Sequence, residues 1–356
     1  MAGLPPLATY HSRFRGRDSS STPVAIRRHG LPCGSSGDAA GYARGVSSDV
    51  MPAYVGVLLA HACLQVLADD HGVDLLHIKG PAVDESLLNR RTGSESEGQD
   101  HVDRFVPRHS VDADVLVRPS HVNKLFKALS QHGWRMAYDF ADGSAFEHAS
   151  TWEHRALEHV DVHRQFPGIG LDGERAFDAL WAERHQTTLA GQQCPVPDVT
   201  AQRLILILHA VRGGHLLDPD ITNSWTRASD EQRVAVETLA ARLQAQVALG
   251  AATGRLEDHR DSREYDLWKV LSTGNAPLSR LWFARVKAQP GVAAKIRMGI
   301  KLVVPNRNRM AQRLGHRPTS AQMAHEYLQQ AKAAAGELGR LVRSALPRRA
   351  RQGEGP

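Results

Sequence analysis

Residues 108–117 read Arg108-His109-Ser110-Val111-Asp112-Ala113-Asp114-Val115-Leu116-Val117. Aliphatic and β-branched residues around two aspartates predict a short, mostly buried strand. Side chains alternate faces along a strand, so Asp112 and Asp114 share one face, while Val111, Ala113 and Val115 turn toward a core on the other. Two carboxylates held together in this way repel each other by about 4 kcal/mol at ~4 Å and an effective dielectric of ~20. A divalent cation removes that repulsion, and hard oxygen ligands suit magnesium. The competing reading is a partly exposed strand with solvated aspartates.

Upstream, Val73-Asp74-Leu75-Leu76-His77-Ile78 predicts a second strand, broken by Lys79-Gly80-Pro81. Pro81 suits the first turn of a helix, expected over 82–89. A strand, a glycine turn and a helix start would aim free N–H groups at an anion, with Lys79 adding a charge suited to phosphate. A plain strand-to-helix turn is the alternative. Still earlier, the apolar spacing from Val55 to Leu67 predicts an amphipathic helix ending near Gly72. Residues 1–50, rich in Gly, Ser, Pro and Arg without apolar period, are expected to be a disordered leader, which makes Met51 a candidate start.

Downstream, 90–107 is polar and expected as a loop. A helix is expected from Pro119 to Leu129 with Ser120 as N-cap, then a strand after Gly133-Trp134. Trp152–Arg155 and Leu157–His163 predict a strand hairpin in which His159, Asp161 and His163 share a face. From Ala176 the pattern becomes helical, with helices expected at 176–183, 200–211, 230–249, 265–271, 278–286, 292–303 and 320–346. The apolar helix at 200–211 carries His209, read as a core or seam histidine. The body thus divides into an α/β half and an all-helical half, with a seam near 195–199. The expected divisions are 1–50, 51–198, 199–346 and a basic tail at 347–356.

A chain of 356 residues can hold two cored domains. Its three cysteines, Cys33, Cys63 and Cys194, lack paired or metal-type spacing, which fits a reducing cytoplasm. No uninterrupted apolar run approaches the ~18 residues of a membrane span, and the start lacks a secretory layout. The pI near 9.4 points toward nucleic acid. However, residues 1–50 hold six Arg against three Asp and residues 340–356 five Arg against one Glu. Of the net +6, the body between them therefore carries −1. A neutral body argues against duplex binding.

The ordered set Leu76-His77-Ile78-Lys79-Gly80, Arg108–Val117, Gly133-Trp134, Val160-Asp161-Val162-His163, Ala179-Leu180-Trp181, Leu189-Ala190-Gly191, Leu206–Ala210 and Val303-Val304-Pro305-Asn306 resembles the uncharacterised nucleotidyltransferase family of the DNA polymerase β-like superfamily. The resemblance spans roughly 51–330. It implies an α+β fold, a small mixed-sheet nucleotidyltransferase domain followed by an all-helical domain. It further implies that Asp112, Asp114 and Asp161 hold two magnesium ions. Lys79 and Gly80 would bind the triphosphate of a donor NTP such as ATP, with Arg108 reaching the phosphates or pairing with a carboxylate. The acceptor would be a hydroxyl on a small molecule, peptide or protein. Three features depart from the pattern: Gly80 is followed by Pro81 rather than serine, the gap from Gly80 to Asp112 is long, with a loop inserted at 90–107, and His163 is followed by Arg164 rather than tryptophan.

Three other readings compete with this one. The chain could be a catalytically degenerate nucleotide-binding relative. His159, Asp161 and His163 could hold zinc or iron. Or the Arg-rich ends could bind nucleic acid or an acidic partner.

Overall fold

The computed structural model describes residues 51–90, 105–106, 110–143, 146–274 and 276–345. The expected leader, most of the 90–107 loop, Arg108 and the basic tail lie outside the described residues. Every element below belongs to the unit Ala53–Pro356.

Helix α1 (Ala53–His71) forms where the apolar period predicts it. By length and composition it could cross a membrane, which the sequence reading did not anticipate. Its Val57, Ala60, Leu64 and Ala68 are fully buried against the sheet, so it serves as a core helix. Strand β1 (Leu75–His77) follows. The helix expected over 82–89 does not form: two 3₁₀ turns, Gly80–Ala82 and Glu85–Leu87, lead into β2 (Asn89–Arg90), which pairs with β3 (Phe105–Val106). The local cause is Val83, whose extended backbone ends the first turn, and Asp84, whose carboxylate accepts from the Ser86 N–H and starts a new one. Without a full helix there is no helix N-terminus to bind an anion.

Strand β4 (Asp112–Val117) starts one residue later than the core pattern implies, leaving Val111 69% exposed, while Ala113 and Val115 are buried as expected. Helix α2 (Val122–Gln131) is entered through a 3₁₀ turn at Pro119–His121 capped by no side chain, so Ser120 is not its N-cap. Then come β5 (Arg135–Tyr138), the short α3 (Phe140–Gly143), and the expected hairpin of β6 (Ala149–His154) and β7 (Leu157–His163). The five strands lie in the order β1-β4-β7-β6-β5, with β4 and β7 parallel and the other pairs antiparallel. This is the small mixed sheet of an α+β fold.

One face of the sheet packs Leu75, Ala113, Val115, Val160 and Val162 against α1 and α2. On the other face, Leu76, Ile78 and Leu116 join a core with α4 (Gly173–Ala182) and α5 (Val199–Arg212), each capped at its start by an aspartate, Asp172 and Asp198. Between them lies a hairpin the sequence did not signal, β8 (His185–Leu189) and β9 (Gln192–Val196), whose strands are mostly polar. The second core runs on through α6 (Pro219–Ile221), α7 (Asp230–Arg242), α8 (Gln246–Ala252), α9 (Tyr265–Ser272) and α10 (Leu278–Lys287). The single helix expected over 230–249 breaks at Gln244, which takes φ +55°. Helices α11 (Gly291–Val303), α12 (Arg307–Leu314) and α13 (Ser320–Ala345) complete the unit; α12 was not foreseen. The α/β and helical halves meet in this shared core across 195–199.

Candidate active site

Parallel pairing of β4 with β7 sets the site. The register puts Asp114 beside Asp161 and Asp112 beside His159, and His163 lies one step further along the same face. Asp114 is buried and its Oδ1 accepts two bonds, from Lys79 Nζ at 2.6 Å and from His163 Nε2 at 2.7 Å. Burial opposes the charge on Asp114, but the Lys79 ammonium and the His163 bond outweigh it and hold the carboxyl well below its ordinary range. Lys79 is therefore a buried counter-ion, 6% exposed, and not the mobile surface charge its place in a turn suggests.

Asp161 is in the opposite condition. Burial and the charges of Asp114 and Asp112 push its pKa up to about 7, only partly relieved by the Thr151 hydroxyl, which donates to its Oδ1 at 2.6 Å. Thr151 is its cross-strand neighbour on β6, a partner that the hairpin register could have revealed. Asp112 is half-buried near Ser110, whose hydroxyl donates to the Asp112 carbonyl at 2.7 Å and lies 3.2 Å from its carboxylate. Gly80 takes φ +60°, and a Cβ there would sit 3.0 Å from the Ser110 Cβ. Ser110, two residues before β4, thus lies beside Gly80 in space, although Pro81 follows Gly80 in sequence.

Among the described residues, Asp114, Asp161 and His163 offer ligand atoms that lie within 4.8 Å of one another. This donor set fits a divalent ion on three grounds. Two carboxylates are hard ligands for magnesium, and an imidazole adds tolerance for manganese. Lys79 already places a cation on Asp114. Burial keeps His163 neutral against the pull of Asp114, and its Nδ1 is buried without a hydrogen-bond partner among the described residues. Asp112, expected as a ligand, is not gathered into this group, although its charge acts on Asp161.

The His159-Asp161-His163 alternative does not converge. His159 is about half exposed and turns toward Glu153, with Nε2 3.6 Å from Oε1. Sequence reasoning missed two buried polar clusters beside the site. His77 shares a 2.7 Å Nδ1–Nδ1 contact with His61 and bonds Gln65 at 3.0 Å, both partners on α1. The guanidinium of Arg212, at the end of α5, donates to His148 Nε2 at 2.6 Å, and the His148 and His163 rings lie 5.2 Å apart. A histidine on strand β1, facing a helix that carries His61 and Gln65 one turn apart, is the one signal that could have exposed the first cluster.

The sequence profile of the uncharacterised nucleotidyltransferase family matches residues 99–257, which include Asp112, Asp114, Asp161, His163 and Arg212. No curated protein matches the chain. A solved structure, the lincosamide antibiotic adenylyltransferase LnuA with lincomycin bound, is 15% identical over 50% of this chain and 92% of its own, with a TM-score of 0.25, too low to bear on the argument. Over residues 99–257, a little under half of its length, the chain is thus similar to the uncharacterised nucleotidyltransferase family.

Proposed function

We propose that this chain transfers a nucleotidyl group from a nucleoside triphosphate, with ATP as donor, to a hydroxyl of a small molecule, peptide or protein, in a magnesium-dependent reaction in the cytoplasm. The observation that carries this reading is the convergence of Asp114 and Asp161 from adjacent parallel strands, with a buried lysine on one of them. Asp114, Asp161 and His163 would hold the ion, with Asp112 at the edge of the site. Bound there, magnesium would neutralise phosphate charge and lower the barrier to in-line displacement at the α-phosphorus.

The protein's own groups account for the rest. Lys79 leaves Asp114 and takes a phosphate oxygen. The Gly80 turn, free of any Cβ, lets the backbone approach the triphosphate beside Ser110. Asp161, deprotonated when the ion is bound and oriented by Thr151, would receive the proton of the attacking hydroxyl at its carboxylate. The neutral charge balance of the body does not favour nucleic acid as acceptor.

The test is incubation of the full chain with each α-labelled NTP, magnesium and a cell extract as acceptor source, with products identified by mass. Label should appear on a hydroxyl-bearing product with wild type and vanish with Asp114→Asn. If magnesium and NTP bind but no extract yields a product, the degenerate binding protein becomes the better reading.

A further inference from the structure

We propose that Arg212 is the residue that binds the departing phosphates, taking the β,γ-portion of the donor nucleotide and the pyrophosphate formed from it. This inference rests on the nucleotidyl-transfer reading and adds to it a positively charged group contributed by the helical half of the protein.

Arg212 closes the last turn of α5, and its side chain reaches back to the sheet, where it donates to His148 Nε2 at 2.6 Å. The His148 ring lies 5.2 Å from that of His163, tilted against it, and His163 bonds Asp114, so the guanidinium stands two imidazoles away from the carboxylate centre. Asp114 and Asp161 both act electrostatically on it, yet among the described residues neither these nor any other carboxylate forms an ion pair with it. A cation at a helix C-terminus satisfies the helix dipole while remaining in water, so the dipole does not explain why this one is drawn inward. Arg212 is half-buried, and a partly desolvated charge without a bonded counter-charge is costly, while a guanidinium has five donors suited to phosphate oxygens.

The fold fixes this position. The helix ends on Gly213-Gly214, and Gly214 takes φ +73° so close to Gly274 that a Cβ would lie 2.2 Å from the Gly274 Cα. The end of α5 is thereby locked to the end of α9. His148 is kept neutral by burial and by the charge of Arg212, so it can accept from the guanidinium without competing with it for an anion. His148 is thus a positioning residue for Arg212.

In the reaction, the acceptor oxygen forms a bond to the α-phosphorus and its proton passes to Asp161. The bond from the α-phosphorus to the bridging oxygen breaks, and its electron pair leaves on pyrophosphate. Arg212 meets the charge that develops there, a charge Lys79 alone does not balance.

The experiment is calorimetric titration of the full chain with magnesium pyrophosphate, magnesium ATP and AMP, in wild type, Arg212→Gln and Arg212→Lys, with kcat and KM measured alongside. Arg212→Gln should weaken pyrophosphate and ATP by about 10-fold or more, leave AMP within twofold, and lower kcat more than it raises KM. If Arg212→Gln does not fold, Arg212→Lys carries the test, because it keeps the charge and loses the fork. It should then weaken pyrophosphate several-fold with AMP unchanged. Pyrophosphate affinity within twofold of wild type in the folded variant overturns the proposal. Wild type that binds neither pyrophosphate nor ATP would instead overturn the nucleotidyl-transfer reading on which it rests.

Discussion

Replacing Lys79 with methionine removes the charge and keeps the bulk. In the metal-free protein, Lys79 Nζ lies 2.6 Å from Asp114 Oδ1 and the two side chains are 7% and 3% exposed. At an effective dielectric of ~20 the direct attraction at that distance is about 6 kcal/mol. Desolvation offsets part of it, and breaking such a pair by removing one partner costs about 3–5 kcal/mol. At about 2–4 °C per kcal/mol for a domain of this size, Lys79→Met should melt roughly 10 °C below wild type at pH 7. The pH sign follows from Asp114. Its carboxyl is depressed in the folded protein, so its contribution is complete above the unfolded carboxylate value and is lost as pH falls through the folded one. Without Lys79, burial raises that carboxyl, and the gap between variant and wild type should narrow toward pH 4. Magnesium supplies the missing charge, so it should raise the melting temperature more in Lys79→Met than in wild type, where it must displace the lysine. The double variant Lys79→Met with Asp114→Asn should recover much of the loss. Thermal melts with and without magnesium read all of this. A Lys79→Met protein that melts with wild type at pH 7, or gains no more from magnesium, would refute the idea that lysine and metal share Asp114.

Asp161→Asn should abolish nucleotidyl transfer by orders of magnitude. Because the Asp161 pKa is raised to about 7, the folded metal-free protein holds a proton that the unfolded chain has lost above about pH 4. Wild-type stability should therefore fall as pH rises from about 4 to 7, and urea melts of Asp161→Asn should lose this component. His163→Gln removes the imidazole nitrogen from the donor set and should reduce the thermal shift given by manganese more than that given by magnesium. Equal losses for both ions would leave His163 as a hydrogen-bond donor to Asp114 only. Gly80→Ala forces a side chain into φ +60° and against Ser110, and should cost about 1–2 kcal/mol in chemical denaturation while raising KM for the donor nucleotide.

The acidic strand and the β6–β7 hairpin were legible because alternation with period two survives wherever one face is core. Ala113, Val115, Val160 and Val162 carry that pattern and are fully buried. Asp114 and Asp161 were legible for the same reason: a carboxylate on the opposite face of such a strand is conspicuous. Residues whose role depends on a distant partner were not. Lys79 looks like a turn lysine until the β1–β4 pairing puts it on Asp114. Ser110 looks like a leader into the strand until the left-handed turn at Gly80 approaches it. The break at Gln244 had no glycine or proline to announce it. The β8–β9 hairpin buries Leu189, Cys194 and Val196, while most of its remaining side chains are polar, which hides it from a hydrophobic count. Arg212 ends an apolar helix, where a basic residue is ordinary, and only the reach of its side chain to His148 sets it apart.

The resting site is close to electrically balanced without any metal, and this has a thermodynamic consequence. Asp114 is ionised against Lys79, burial keeps His163 neutral, and the pKa of Asp161 is pushed up to about 7. Asp114, Asp161 and His163 would hold a divalent ion only with Asp161 deprotonated and Asp114 released from Lys79. The first event makes metal affinity rise with pH through neutrality. The second would set free, beside the Gly80 turn, the ammonium that the proposed function assigns to the triphosphate. Metal and nucleotide should therefore each strengthen the binding of the other, because each removes a cost the other would otherwise bear, and the linkage must be equal in both directions. On the proposed reaction, the buried Lys79–Asp114 ion pair would thus also couple the binding of metal and nucleotide.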